Sequence, residues 1–187
     1  MLLKCNEVIL EQHENFQKQS NRSRFHILSP NGIQSLQIPL VHQKLQNCII
    51  TDVKISYRNP WQRLHWRSIQ TAYNRSPFFE FYKDEFETIF FKGEKLLFAY
   101  NLNLLKWILK ILKHSSLISL TNDFEKEIPD TYDFRNLSNS KNTAIAFPDH
   151  FSTKKYNQVF AYKFDFVPNL SVIDLIFNCG KNAVDYL

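Results

Sequence analysis

The chain has 187 residues, about the length of one domain. With 44% hydrophobic and 15% aromatic residues it carries enough apolar material for a core, which excludes wholesale disorder, and its 3 Gly and 7 Pro exclude collagen-like and low-complexity classes. The formal charge is +5, and no apolar run approaches the ~20 residues that a bilayer span needs.

Glu7 to Glu11 is rich in β-branched residues and predicts a short strand. Residues 12–23 are polar and aperiodic and predict a loop. Arg24 to Leu28 alternates as a second strand, Ser29-Pro30-Asn31-Gly32 is a turn signal, and Ile33 to Val41 follows as a third strand. The short connection predicts a hairpin. Cys48 to Tyr57 predicts a fourth strand.

The periodicity then becomes helical. Asn59 is the expected N-cap with Pro60 at the first helical position, and Trp61, Leu64, His65, Ser68, Ile69 and Ala72 share one face of a helix near 60–74. Ser76-Pro77 opens a second helix over 77–91. Gly93 breaks the chain before a third over 94–113, whose Lys106, Lys110 and Lys113 lie near the end where cations complement the helix dipole. Residues 114–142 are polar and predict a long loop. Ala144 to Phe147 and Val159 to Phe164 predict short strands. Pro168-Asn169 opens a last helix near 170–179, which Gly180 closes. The fold class expected is a mixed α/β single domain, 1–187, with a small N-terminal sheet covered by these four helices.

Composition carries a second message. Lys outnumbers Arg 16 to 7, and Phe, Ile and Asn are abundant where Gly and Ala are scarce, the signature of AT-rich codons. Codon drift thus accounts for part of the positive charge, which by itself speaks only to solubility and non-specific binding. Nucleic-acid binding would rest on that charge alone and is not expected. Cys5, Cys48 and Cys179 are far apart, with no CxxC and no Cys/His ligand spacing. Free thiols in a reducing compartment, no metal and no signal peptide are the expectation, hence a cytoplasmic protein.

No nucleophile elbow, P-loop, dinucleotide fingerprint or zinc-protease motif occurs. Looser constellations remain. Glu11, Gln12, His13 and Glu14 precede Lys18, Arg22 and Arg24: a His beside carboxylates suits general base work, and paired arginines suit a phosphate or carboxylate. A solvated loop with ordinary surface charge explains the same residues. His65 lies on an apolar helical face with Trp61, Trp66 and Arg67 beside it; it reads as a neutral base in a pocket or as a satisfied core histidine. The aromatic run from Trp61 to Phe86 suits stacking on sugars or bases, or a core.

Three groups of segments then acquire a common meaning. They are Val8-Ile9-Leu10-Glu11 with Phe16-Gln17-Lys18-Gln19 and Arg22/Arg24; Trp61-Gln62-Arg63-Leu64-His65-Trp66-Arg67 with Tyr73 and Ser76-Pro77-Phe78-Phe79; and Asp133-Phe134-Arg135 with Tyr156 to Phe160 and Asn169 to Asn178. Together they resemble the WbqC-like protein family over nearly the whole chain. The resemblance implies a place among bacterial gene clusters for O-antigen and other surface polysaccharides. It further implies a transferase that moves an amino-acid or acyl group, such as glycine, onto a sugar. The chain begins at Met1-Leu2-Leu3-Lys4 where such members have already passed an opening strand and a Pro- and aromatic-rich segment, so a chain lacking that segment is expected. The family's Arg-Asn-Arg is Arg22-Ser23-Arg24 here.

On this reading His65 is the catalytic base. Arg22, Arg24 and Arg67 hold a phosphate, and Trp61 or Trp66 stacks on a sugar. The partner is a small-molecule sugar or sugar nucleotide, and no cofactor is specified. The alternative is a non-catalytic module that binds a sugar nucleotide or an assembly partner, or a shortened remnant of the enzyme. A cleft is expected where the 12–24 loop, the start of the 60–74 helix and the C-terminal helix converge.

Overall fold

A computed structural model describes residues 7–41, 47–114, 117–126, 133–135 and 154–187. Three short strands come first, three longer helices follow, and a fourth strand and two short helices complete a mixed α+β architecture. Strand β1 (Glu7–Leu10) alternates as its sequence predicts: Val8 turns into the protein and Ile9 is 57% exposed. Its ladder partner lies far along the chain. β4 (Leu117–Leu120) runs parallel to it, Glu7 opposite Leu117 and Leu10 opposite Leu120. This strand falls inside the segment expected to be a loop. Its apolar residues, Leu117, Ile118 and Leu120, are too few to stand out among the serines around them.

β2 (Arg24–Ser29) and β3 (Gly32–Gln37) form the expected antiparallel hairpin, with Ser29 opposite Gly32. Gly32 takes a φ of +105°, a conformation that side-chain-bearing residues rarely adopt, and the Ser29 hydroxyl donates to its carbonyl at 2.7 Å. The predicted fourth strand is absent. Residues 50–52 instead close a 3-10 turn, and the flanking backbone meets three different partners one residue at a time: Asn15 with Ile49, Leu40 with Ile55, Lys54 with Leu96. Its alternation is real, since Ile50, Val53 and Ile55 are buried, but no strand runs beside it for a ladder.

Three helices form the body: α1 (Trp61–Tyr73), α2 (Phe79–Phe90) and α3 (Leu97–Ile111). Their starts differ in detail from expectation. Asn59 does not cap α1; Pro60 holds the cap position and Asn59 supplies only its carbonyl, to Trp61 N–H at 2.8 Å. Ser76 turns its hydroxyl back onto the Tyr73 carbonyl at 2.5 Å rather than capping α2. Gly93, with φ +74°, makes the predicted break before α3.

Val159 to Phe164 is no strand. Residues Ala161–Phe164 form the short helix α4, and the Gln158 side chain pins it by donating to Val167 O at 2.8 Å and accepting from Val167 N–H at 2.9 Å. α5 (Val172–Cys179) follows and ends at Gly180, where a 3-10 turn runs to Tyr186. Ala144 to Phe147 lies outside the described residues.

The core is aromatic. Trp66 is enclosed by Phe79, Phe86, Phe90 and Phe91, with ring centroids near 6 Å. Phe177 of α5 closes it from below, 5.0 Å from Phe79 and edge-on. Tyr156 donates its hydroxyl to the buried Asp174 at 2.7 Å and so ties the chain before α4 to α5.

Candidate functional site

Two clefts flank the 12–23 loop. The larger, about 490 Å³, is here called the loop cleft. Glu14, Asn15, Gln17 and Lys18 line one side of it, and Phe124, Lys126, Asp133 and Arg135 the other. The smaller, about 270 Å³ and here called the helix cleft, lies between the end of the same loop, β2, α2, α3 and the start of α5.

The wall between the two is an ion pair. Arg22 grips Glu14 with two parallel bonds, Nε to Oε1 at 2.7 Å and Nη2 to Oε2 at 2.6 Å, and both side chains are largely buried. Arg22 Nη2 also donates to the Arg135 carbonyl at 3.2 Å. Arg135 in turn chelates Asp133, whose carboxyl it holds below the usual range by hydrogen bonding, and lies 3.8 Å from Glu11. Glu11 accepts from the His13 N–H at 2.7 Å and from the Thr121 hydroxyl at 3.0 Å. His13 Nε2 lies 3.1 Å from the Thr121 carbonyl. A carbonyl only accepts, so Nε2 carries a proton there. The cluster stands at the C-terminal ends of the parallel pair β1–β4, because Glu11 and Thr121 each follow directly on a strand.

The candidates read from sequence are thus divided. Arg22 and Arg24 both line the helix cleft, Arg22 as the partner of Glu14. Arg24 has no hydrogen-bond or ion-pair partner among the described residues, and its buried Nε is unsatisfied. Trp66 lies in the core described above, and Trp61 is buried among Tyr57, His65, Phe90 and Tyr100; neither ring lines either cleft. Arg67 is exposed on the outer side of α1. His65 lines neither cleft. Its ring packs edge-on against Phe25 and Trp61, its buried Nδ1 has no partner, and desolvation pulls its pKa from 6.5 to about 4. The expected convergence on the start of α1 is replaced by one on α3, which supplies Asn101, Leu105 and Trp107.

Those α3 residues and Phe124 escape a reading by motif. Trp107 and Leu104 recur at helical spacing along α3, and periodicity cannot separate a core position from a cleft wall. Arg135 did carry a signal, within Asp133-Phe134-Arg135. Lys110 pairs with the exposed Glu85, and Lys106 is also exposed, so the lysine stripe is a solvated face. Among the described residues no group of His, Cys, Asp and Glu could hold a metal ion, and no helix is long and apolar enough to cross a membrane.

Two clefts of ligand size thus lie on either side of a charged loop. The chain belongs to the WbqC-like protein family: the family model matches residues 1–140 and 130–186. It is also similar to an uncharacterized protein of Mycobacterium tuberculosis, 23% identical over 210 residues that cover 97% of this chain and 87% of that protein. No solved structure matches.

Proposed function

We propose that the protein is a transferase acting on a sugar intermediate of bacterial surface polysaccharide, adding an amino-acid or acyl group, and that the loop cleft receives the sugar. The carrying observation is the cleft's chemistry. Side-chain amides at Asn15, Gln17 and Asn47 suit a ring of hydroxyls, each of which both donates and accepts. Phe124 is 54% exposed and offers a face to the sugar's C–H surface. Lys18 and Lys126 supply cations for the phosphate of a sugar nucleotide. Arg22 positions Glu14 rather than binding substrate itself. His13, next in the chain to the cleft residue Glu14 and held by Thr121, takes the role of base in place of His65, which lines neither cleft and whose pKa near 4 makes it a poor base at neutral pH. Membership of the family and what the resemblance implies supply the pathway.

The test is to incubate the full chain with a nucleotide-linked amino sugar and an activated glycyl donor, and to follow the acceptor by mass spectrometry. A glycyl mass gain, at least ten-fold slower in His13→Asn and Phe124→Ala, is expected. Saturable binding of the sugar nucleotide without any mass gain would favour the non-catalytic module. The absence of a suitable placement for His65 gives that second reading its footing. No binding of the sugar nucleotide would refute both.

A further inference from the structure

The helix cleft carries a separate inference. Its walls are apolar: Phe86 and Phe90 from α2, Leu104, Leu105 and Ile108 from α3, and Ile38 after the hairpin. Two of its lining residues hold buried hydrogen-bond donors without partners, Arg24 at Nε and Trp107 at Nε1. Trp107 is only 2% exposed. Neither nitrogen can accept a hydrogen bond, so neither can satisfy the other. A buried donor left unmade is costly, and two at one cavity ask for an acceptor. Glu14, the loop carboxylate in the wall between the two clefts, is committed to Arg22.

The surroundings hold this arrangement in place. Asn101 of α3 donates to the Arg22 carbonyl at 2.8 Å and anchors the backbone leading to Arg24. Ser171, which precedes α5, lines the same cleft and donates its N–H to His26 O at 2.8 Å, two residues along the strand from Arg24.

We propose that the helix cleft binds a small carboxylate with an apolar body, the carboxylate on Arg24 and Trp107 and the body against the α2–α3 wall. A guanidinium fork matches a carboxylate's two oxygens. A phosphate dianion or a polyhydroxylated sugar would leave oxygens facing phenylalanine and leucine without partners. The cleft's volume of about 270 Å³ equals roughly nine waters of liquid, which admits a body of about ten heavy atoms. The inference does not depend on the sugar reading of the loop cleft, and the two tests use different ligands.

Titration calorimetry of the full chain with octanoate, 1-octanol, acetate and inorganic phosphate tests it. Octanoate binds at one site, and each of the other three at least ten-fold more weakly. Arg24→Gln lowers octanoate affinity about ten-fold and leaves octanol unchanged, with the fold checked by circular dichroism. Leu105→Trp fills the cleft, keeps Arg24 and abolishes octanoate binding, so it tests the proposal even if the Arg24 variant misfolds. The proposal is overturned if octanoate does not bind, if phosphate binds as tightly, or if either folded variant binds octanoate as the parent does.

Discussion

His65 makes the fold sensitive to acid in a way that can be isolated. Its pKa falls from 6.5 in the unfolded chain to about 4 in the folded one, because burial against Phe25 and Trp61 penalises the charged ring. The folded state therefore resists the proton that the unfolded state takes up. The stability held above pH 6.5 is lost progressively as pH falls toward 4. At pH 5 the linkage relation gives a loss of about 2 kcal/mol for a fully buried ring. Water reaches part of this ring, and screening reduces the loss to about 1 kcal/mol. Replacing His65 by Leu removes that loss and also the unpaired Nδ1, which stabilises the protein by roughly 1 kcal/mol at pH 7. Urea unfolding of both proteins at pH 7 and pH 5 measures the two effects. The parent should lose about 1 kcal/mol more than His65→Leu between those pH values. Equal losses would refute the assignment of a neutral, unpartnered His65.

Other substitutions probe the packing and the loop. Trp66→Ala should cost about 3–5 kcal/mol by thermal unfolding, the signature of a core ring rather than a sugar platform; a cost under about 1 kcal/mol would contradict the enclosure described. Gly180 has φ +60°, and a Cβ there would sit 2.7 Å from the Phe78 ring, so Gly180→Ala should lower Tm by several degrees, and an unchanged Tm would show that the ring gives way. Arg22→Ala strands Glu14 and should destabilise by about 2–4 kcal/mol, with most of the loss recovered in the double variant with Glu14→Gln; additive effects would mean that the pair is not coupled. Tyr156→Phe removes a donor from buried Asp174, whose pKa burial already raises, and should cost about 1–2 kcal/mol in urea unfolding at pH 7, or the hydrogen bond is not made in solution.

The legible parts of this protein were local. The hairpin announced itself through Ser29-Pro30-Asn31-Gly32, and three body helices through apolar spacing broken at Gly93. What sequence could not carry was pairing at a distance. β4 has four residues and no alternation strong enough to declare it, and it becomes a strand only because β1 lies beside it. The same limit explains Cys48 to Tyr57, whose pattern is that of a strand but whose neighbours change at every step. For the site, charge clustering in residues 11–24 drew attention to Arg22 and Arg24, and both line the helix cleft. It could not say that Arg22 would be spent on Glu14 while Arg24 stayed unpaired. Trp61 and His65 share a helical face with Trp66 beside it, and helical spacing is equally consistent with core and with cleft.

The parallel pair β1–β4 has a kinetic consequence. Glu7 and Leu117 are 110 positions apart, so their pairing closes a very long loop and carries a large entropic cost before its few contacts repay it. The helices and the β2–β3 hairpin can form and dock without it. Phe124, Lys126 and Arg135, one whole wall of the loop cleft, follow β4 in the chain and hang from that pairing. The loop cleft is thus complete only once that long-range pairing is made. A ligand that bridges its two walls would act as a clasp on the fold, slowing amide exchange in β1 and β4 before it alters any helix.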